Sequence, residues 1–357
     1  MQESIRDEMI QSFTEVYDSA WYILGKKVEA FEEAYAKFNQ VAACVGVSNG
    51  LDALVIALKT LQIGKGDEVI VPSNTFIASV LAVTYVGAAP VFVEPDERTY
   101  NINPALLEKA ITPNTKAIIP VHLYGQACEM DKITSIAEKH KLFIIEDNAQ
   151  AHGATFANKM TGSWGHINAT SFYPGKNLGA LGDAGAITTN DTALAGKAKV
   201  FRNYGSEKKY YNEEAGFNMR LDEMQAAFLL IKLKKIDSWT KHRQQVADWY
   251  IQQLQNTGDI TLPFTHSLAT NVYHLFVIKT QRRNELMKYL TDHNVHTQIH
   301  YPVPPHLQEC YKNLGFKIGD FPIAEQLAKT CLSLPLYPGM TEKQVEFVVN
   351  NIKHFFL

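Results

Sequence analysis

Three short runs carry residue types whose spacing could do chemistry. In Ser171-Phe172-Tyr173-Pro174-Gly175-Lys176-Asn177-Leu178-Gly179-Ala180-Leu181-Gly182-Asp183-Ala184-Gly185, a lysine sits inside a Gly/Pro-rich turn between two apolar runs. Isolated loop lysines are usually solvated surface. Here small residues on both sides leave room for something bulky, and a desolvated lysine has the lowered pKa that Schiff-base chemistry needs. The glycine pattern is neither GxGxxG nor GxxxxGK[ST], which leaves a dinucleotide or ATP-phosphate reading little support.

In Ile144-Ile145-Glu146-Asp147-Asn148-Ala149-Gln150, an apolar run ends in a carboxylate with an amide three residues on. A carboxylate at a strand's carboxyl end can stay ionised and keep a pyridine nitrogen protonated, which makes the ring an electron sink. The same residues would also serve as a metal ligand or a capping aspartate. In Gly46-Val47-Ser48-Asn49-Gly50, a small turn runs into the apolar stretch Leu51–Leu58. Free N–H groups and the helix dipole at such a start form an anion site, and glycine lets backbone approach a phosphate closely. A plain N-cap through Ser48 or Asn49 accounts for that run as well, and caps are the commoner case.

These runs need a frame. Short apolar runs at 68–71, 90–94, 117–122 and 142–146 read as strands, and helical patterns lie between them at 75–86, 104–110 and 130–140. That alternation predicts βαβ units around a mostly parallel sheet covered on both faces. In such sheets ligands bind beyond the carboxyl ends of the strands, where all three runs fall. Further strands are expected at 169–173 and 184–189. The polar stretch 205–214 is expected as an exposed loop. Leu221, Met224, Phe228 and Ile231 recur at helical spacing. After about residue 241 a long helix and shorter α+β elements suggest a second unit, so the expected division is a large domain at 1–240 and a small one at 241–357.

Composition narrows the class. The chain has 357 residues, 46% hydrophobic, with 37 acidic and 34 basic side chains, a net charge of −3. Nothing in that balance asks for nucleic acid. Cys44, Cys128, Cys310 and Cys331 form no CxxC pair and no zinc-ligand spacing, and they suit a reducing cytosol. The start, Met1-Gln2-Glu3-Ser4, lacks the pattern of a signal peptide. No charged residue occurs from Val71 to Val93, long enough to span a bilayer, but Pro72, Ser73, Asn74, Thr75, Gly87 and Pro90 break the stretch. A strand, a helix and a second strand explain it better. A cytoplasmic protein with no membrane contact and no metal is expected.

The lysine run, the Glu-Asp-Asn-Ala-Gln run and Asn218-Met219-Arg220-Leu221-Asp222-Glu223-Met224-Gln225-Ala226-Ala227 together resemble the nucleotide-sugar aminotransferases of fold type I, the DegT/DnrJ family. The resemblance extends from the Trp21-Tyr22-Ile23-Leu24-Gly25 region to near the end of the chain. It implies an α/β fold of that type: a large domain with a mixed, mostly parallel sheet flanked by helices, plus a smaller C-terminal α+β domain. It also implies pyridoxal 5'-phosphate as cofactor. Lys176 matches the Schiff-base lysine, Asp147 the partner of the pyridine nitrogen and Gln150 the residue beside the ring hydroxyl. Phe76 matches the aromatic stacked on the pyridine, although an aromatic opening an apolar helix could be core instead.

Asn49, Gly50 and Ser171 match phosphate contacts. Asn218 matches one given by the other subunit, which implies a homodimer with shared active sites. Tyr22, Tyr173, Arg220, His300, Tyr301 and His306 are weaker matches, to the sugar and nucleotide pocket. His300 and His306 could instead brace a proline-rich loop, and Arg220 could pair with Asp222 or Glu223. Dehydrating members carry histidine at the lysine position, so Lys176 implies transamination. Tyr-Pro-Gly-Lys-Asn-Leu-Gly-Ala-Leu-Gly-Asp is most similar to members that aminate the third carbon of dTDP-3-keto-6-deoxyhexoses, with glutamate as donor. Three rivals differ in kind. A nicotinamide oxidoreductase lacks its glycine-rich turn here, a non-catalytic regulator would keep the fold, and an enzyme for 4-keto sugars or cyclitols would share the cofactor site.

Overall fold

A computed structural model describes residues 5–357. Its centre is a set of parallel strands in the order β3-β2-β4-β5: β2 (Glu68–Pro72), β3 (Ala89–Val93), β4 (Thr115–Ile118) and β5 (Phe143–Ile144). Val69, Ile70 and Val71 of β2 are fully buried, as strands covered on both faces must be. A second ladder, β1-β9-β8, contains β1 (Ala43–Val47), β8 (Asn168–Ser171) and β9 (Gly185–Thr189), with β9 antiparallel to both neighbours.

One residue joins the ladders. Asp147, just past β5, pairs in parallel with Val121 on one side and Ala169 on the other. The result is a mixed, mostly parallel sheet with its seam at that residue.

Helices cover it. In α3 (Gly50–Thr60), Ala53, Leu54, Val55, Ile56, Ala57 and Leu58 are all buried. Each fully buried Leu, Ile or Val contributes about 1.5–3 kcal/mol, and the helix is apolar all round because it lies beneath other helices. The uncharged stretch from Val71 resolves into the end of β2, α4 (Ile77–Tyr85) and β3. Among the described residues no helix is long and apolar enough to cross a membrane.

α5 (Pro104–Ala110) and α6 (Met130–His140) have the expected bounds, α5 with Asn103 as cap and Pro104 in its first turn. The stretch 205–214 is an exposed loop, with Tyr210 and Tyr211 in solvent.

After α8 (Glu223–Leu233) and α9 (Ile236–Leu254), a second core forms around the antiparallel pair β10 (Phe276–Lys279) and β11 (Cys331–Leu334). Tyr250, Phe276, Leu286, Leu290 and Val349 fill it. α11 (Pro322–Thr330) precedes β11, and Leu327 and Cys331 pack into the core of the main sheet. Glu94, just past β3, fixes that docking: its carboxylate accepts the N–H groups of Ile323 (2.7 Å) and Ala324 (3.1 Å) and the Ser73 hydroxyl (2.9 Å).

Candidate active site

Asp147 lies at the carboxyl ends of the strands, where backbone bonds fix it. Its N–H donates to the Pro120 carbonyl (2.9 Å), and its own carbonyl accepts from His122 N–H (3.1 Å). The preceding carboxylate anchors the strand end. Buried Glu146 accepts from the N–H groups of Gly162, Trp164 and Gly165 and lies 2.7 Å from His122 Nε2. Because Cys128 N–H donates to His122 Nδ1, the ring proton must sit on Nε2 and point at Glu146.

The Asp147 carboxylate is buried. It accepts from the Ser79 hydroxyl (2.7 Å) and Ala149 N–H (3.1 Å) and forms no ion pair among the described residues. A buried carboxylate without a cation of its own is costly unless one is supplied. That vacancy of charge suits a protonated ring nitrogen. No group of three His, Cys, Asp or Glu side chains able to hold a metal occurs among the described residues.

Lys176 stands in the turn between β8 and β9, and its N–H donates to the Tyr173 carbonyl (2.8 Å). The turn closes tightly: a Cβ on Gly179 would fall 2.4 Å from the Pro174 carbonyl oxygen. Burial pushes the Lys176 amine down to about 8, while the Asp147 carboxylate nearby acts in the opposite direction. Three histidines share its field. Burial, and then the Lys176 charge, lower His152 to about 3 and also lower His274 and His300. For Lys176 desolvation outweighs the carboxylate, so the amine gives up its proton at lower pH than a solvated lysine does.

Gln150 is buried, and its amide orientation follows from its partners. Oε1 accepts from Tyr124 N–H (2.7 Å), so Nε2 is the donor towards the Tyr301 hydroxyl (3.0 Å), with a second hydrogen to spare. The Tyr301 ring lies 5.3 Å from that of Phe76 at 39°. Phe76 is 49% exposed at the start of α4, which removes the core reading for it.

The third run acts first as a cap. The Asn49 side chain accepts from Asp52 N–H (2.9 Å) and donates to the Asp52 carboxylate. That leaves the Gly50 and Leu51 N–H groups at the start of α3 without intrahelical partners. Gly50 is required there: a Cβ would fall 2.6 Å from Ser171 Cβ, and one on Gly185 would fall 2.4 Å from the Asn49 backbone. The approach places Asn49, Gly50 and buried Ser171 side by side, an arrangement fit for an anion.

Other expected residues scatter. His300 lies beside Lys176 and pairs with Ser333 Oγ at 2.8 Å. Arg220 pairs with neither Asp222 nor Glu223. It donates to Asn203 Oδ1 (3.1 Å) and lies over the Tyr204 ring, while Glu223 accepts the N–H groups of Gly25, Lys27 and Val28 at the start of α2 (Lys26–Asn39). Asn218 is exposed and pairs through its backbone with Asn203. Tyr173 is exposed. Tyr22 is also exposed and donates to the Tyr17 carbonyl (3.1 Å). His306 stands apart: it is buried among Phe92, Phe316 and Phe321 and lies 3.3 Å from Glu325, so it braces its loop. Ser79, Tyr124, His152 and His274 join the site without any motif that marks them in the sequence.

Residues 3–353 match the DegT/DnrJ/EryC1/StrS aminotransferase family. The chain is 49% identical over 348 residues to the dTDP-3-amino-3,6-dideoxy-alpha-D-galactopyranose transaminase of Aneurinibacillus thermoaerophilus, covering 98% of this chain and 95% of that one. It is 47% identical over 349 residues to the erythromycin biosynthesis sensory transduction protein EryC1 of Saccharopolyspora erythraea, with the same coverage. The fold superposes with a TM-score of 0.97 on DesV of S. venezuelae in complex with a ketimine intermediate, at 45% identity, covering 99% of this chain and 95% of that one.

Proposed function

Because the chain belongs to the DegT/DnrJ/EryC1/StrS aminotransferase family, which is dependent on pyridoxal 5'-phosphate, we propose that it moves an amino group from glutamate to the third carbon of a dTDP-linked 3-keto-6-deoxyhexose. The product would be a dTDP-3-amino-3,6-dideoxyhexose. The observation that carries the reading is the pair at the seam of the sheet: a buried Asp147 carboxylate with no ion pair among the described residues, and within its field a Lys176 amine held low by burial. The substrate follows the relatives acting on dTDP-3-amino sugars.

When bound, the cofactor supplies an electron sink and stores the amino group between the two half-reactions. Lys176 would be the attachment point, and its free amine would be the general base and acid that moves the proton at the donor's α-carbon. Asp147 would keep the pyridine nitrogen protonated, the spare Nε2 hydrogen of Gln150 would be available to the ring hydroxyl, and Phe76 would stack on the ring. Asn49, Gly50 and Ser171 hold the phosphate, joined by Asn218 of the partner subunit in a cytoplasmic homodimer. Tyr22, Tyr173, Arg220, His300 and Tyr301 face the nucleotide sugar. His306 acts only through its loop. The large domain spans 1–240 and the small one 241–357.

The test is Lys176→Ala with a panel of keto sugar nucleotides and glutamate. The variant is expected to fold and dimerise but to aminate nothing, while the wild type gives a 3-amino product identified by NMR. Wild-type turnover in the variant would end the lysine assignment. A product aminated at the fourth carbon would end the substrate assignment alone.

A further inference from the structure

The residues given roles above come from two parts of the chain: Asp147, Gln150 and Lys176 precede residue 240, and His300 and Tyr301 follow it. Both parts meet at the turn Leu123-Tyr124-Gly125, as well as at Glu94 and Asn177. Tyr124 N–H donates to Gln150 Oε1 at 2.7 Å, and its hydroxyl donates to the His300 carbonyl. Its own carbonyl accepts from Leu275 N–H (3.2 Å), and the Gly125 carbonyl accepts from Val272 N–H (2.9 Å). A Cβ on Gly125 would fall 2.8 Å from the His274 nitrogen and 3.0 Å from that of Tyr273, so segment 272–275 docks on bare backbone. Tyr124 itself is buried and holds φ at +60°, a conformation uncommon for a bulky residue and kept only where its surroundings demand it.

We infer that Tyr124 is a positioning residue: its N–H sets the Gln150 amide on the cofactor side, and its hydroxyl sets the His300–Tyr301 segment on the substrate side. The Gln150 Nε2–Tyr301 Oη bond closes the ring, so one circuit through Tyr124 ties the two sides of the site together. The inference rests on the reading above, in which Gln150 faces the cofactor and Tyr301 the nucleotide sugar.

Tyr124→Phe in the holoenzyme tests it, because the backbone contact to Gln150 stays and only the hydroxyl is lost. Cofactor uptake and visible absorption are expected to match the wild type. The KM for the nucleotide sugar is expected to rise about tenfold, the scale of one lost hydrogen bond, with the glutamate half-reaction nearly unchanged. Combining the change with Tyr301→Phe is expected to leave the rise near tenfold, since both variants cut one circuit, whereas independent sites would multiply to about a hundredfold. An unchanged KM, a multiplied effect, or an equal fall in the glutamate half-reaction would overturn the inference. If Tyr124→Phe does not fold, Tyr124→Met, which also lacks the hydroxyl, takes its place: it should show the same rise, and an unchanged KM overturns the inference. Failure of the underlying reading looks different, because the wild type itself would then take up no pyridoxal phosphate or aminate no nucleotide sugar.

Discussion

Ser79, in the first turn of α4, donates its hydroxyl to the buried carboxylate of Asp147 at 2.7 Å. The helix that begins with Phe76 therefore also fixes the acid, and the aromatic and the carboxylate are set by one element. Thr75 lies 3.1 Å from Ser79 and steadies it. Ser79→Ala is expected to weaken pyridoxal phosphate binding to the apoprotein by about tenfold or more, since a hydrogen bond to a charged group contributes about 1.5–3 kcal/mol. Ser79→Thr should restore most of it. Fluorescence titration of the apoproteins measures both, and equal affinity in Ser79→Ala would show that Asp147 needs no such support.

Burial holds the Lys176 amine down at about 8 rather than the ordinary 10.5. The rate at which the apoprotein captures pyridoxal phosphate should therefore rise with pH, with a midpoint near 8, and level off above it, because only the free amine attacks. Stopped-flow absorbance across pH 6.5 to 10.5 follows this directly. A rate still climbing at the upper end would mean that the amine behaves as a solvated lysine.

Gly50 permits the approach of α3 to β8, with the position of its missing Cβ only 2.6 Å from Ser171 Cβ. Gly50→Ala is expected to cost about 1–3 kcal/mol, as overpacking does, and to weaken cofactor affinity with it. Adding Ser171→Gly removes the opposing atom and should recover part of the stability but not the affinity, if Ser171 also binds phosphate. Urea denaturation and cofactor titration on the two variants separate these effects.

His152 is fully buried, with Nε2 3.1 Å from Thr170 Oγ1, and burial beside Lys176 pushes it down to about 3. The unfolded chain takes up this proton near 6.5, and the folded chain does not until far lower pH. Stability is therefore lost as pH falls from about 6.5 towards 3. His274 and His300 are lowered as well and add to the loss. His152→Gln should flatten the fall in urea midpoint between pH 7 and 4, and a curve parallel to the wild type would contradict that origin.

The elements whose signals are local were legible in the sequence. α5 and α6 carry apolar periodicity and stop where it stops, and the strand before Asp147 is an unbroken apolar run. β1 escaped notice because Ala43-Cys44-Val45-Gly46-Val47 is short and contains glycine, yet its pairing with β9 is the edge of the ladder that carries Ser171. Lys176 and Asp147 stood out because each is a polar residue of unexpected type, the lysine inside a Gly/Pro-rich turn and the aspartate at the end of an apolar run. His152, His274, Tyr124 and Ser79 were not, since their roles come from contacts across as many as a hundred residues and more, and no spacing along the chain records them. His306 shows the reverse. The family resemblance matched it to the substrate pocket, but aromatic packing draws its ring into the core, as the loop-bracing reading of its proline-rich neighbourhood expects.

The central claim, that the amine of Lys176 holds the cofactor, is tested most directly by borohydride reduction of the yellow holoprotein followed by peptide mass mapping. The expected result is loss of colour and one phosphopyridoxyl mass, on the peptide containing Lys176. Reduction that leaves that peptide unmodified, or places the mass on another lysine, would contradict the account.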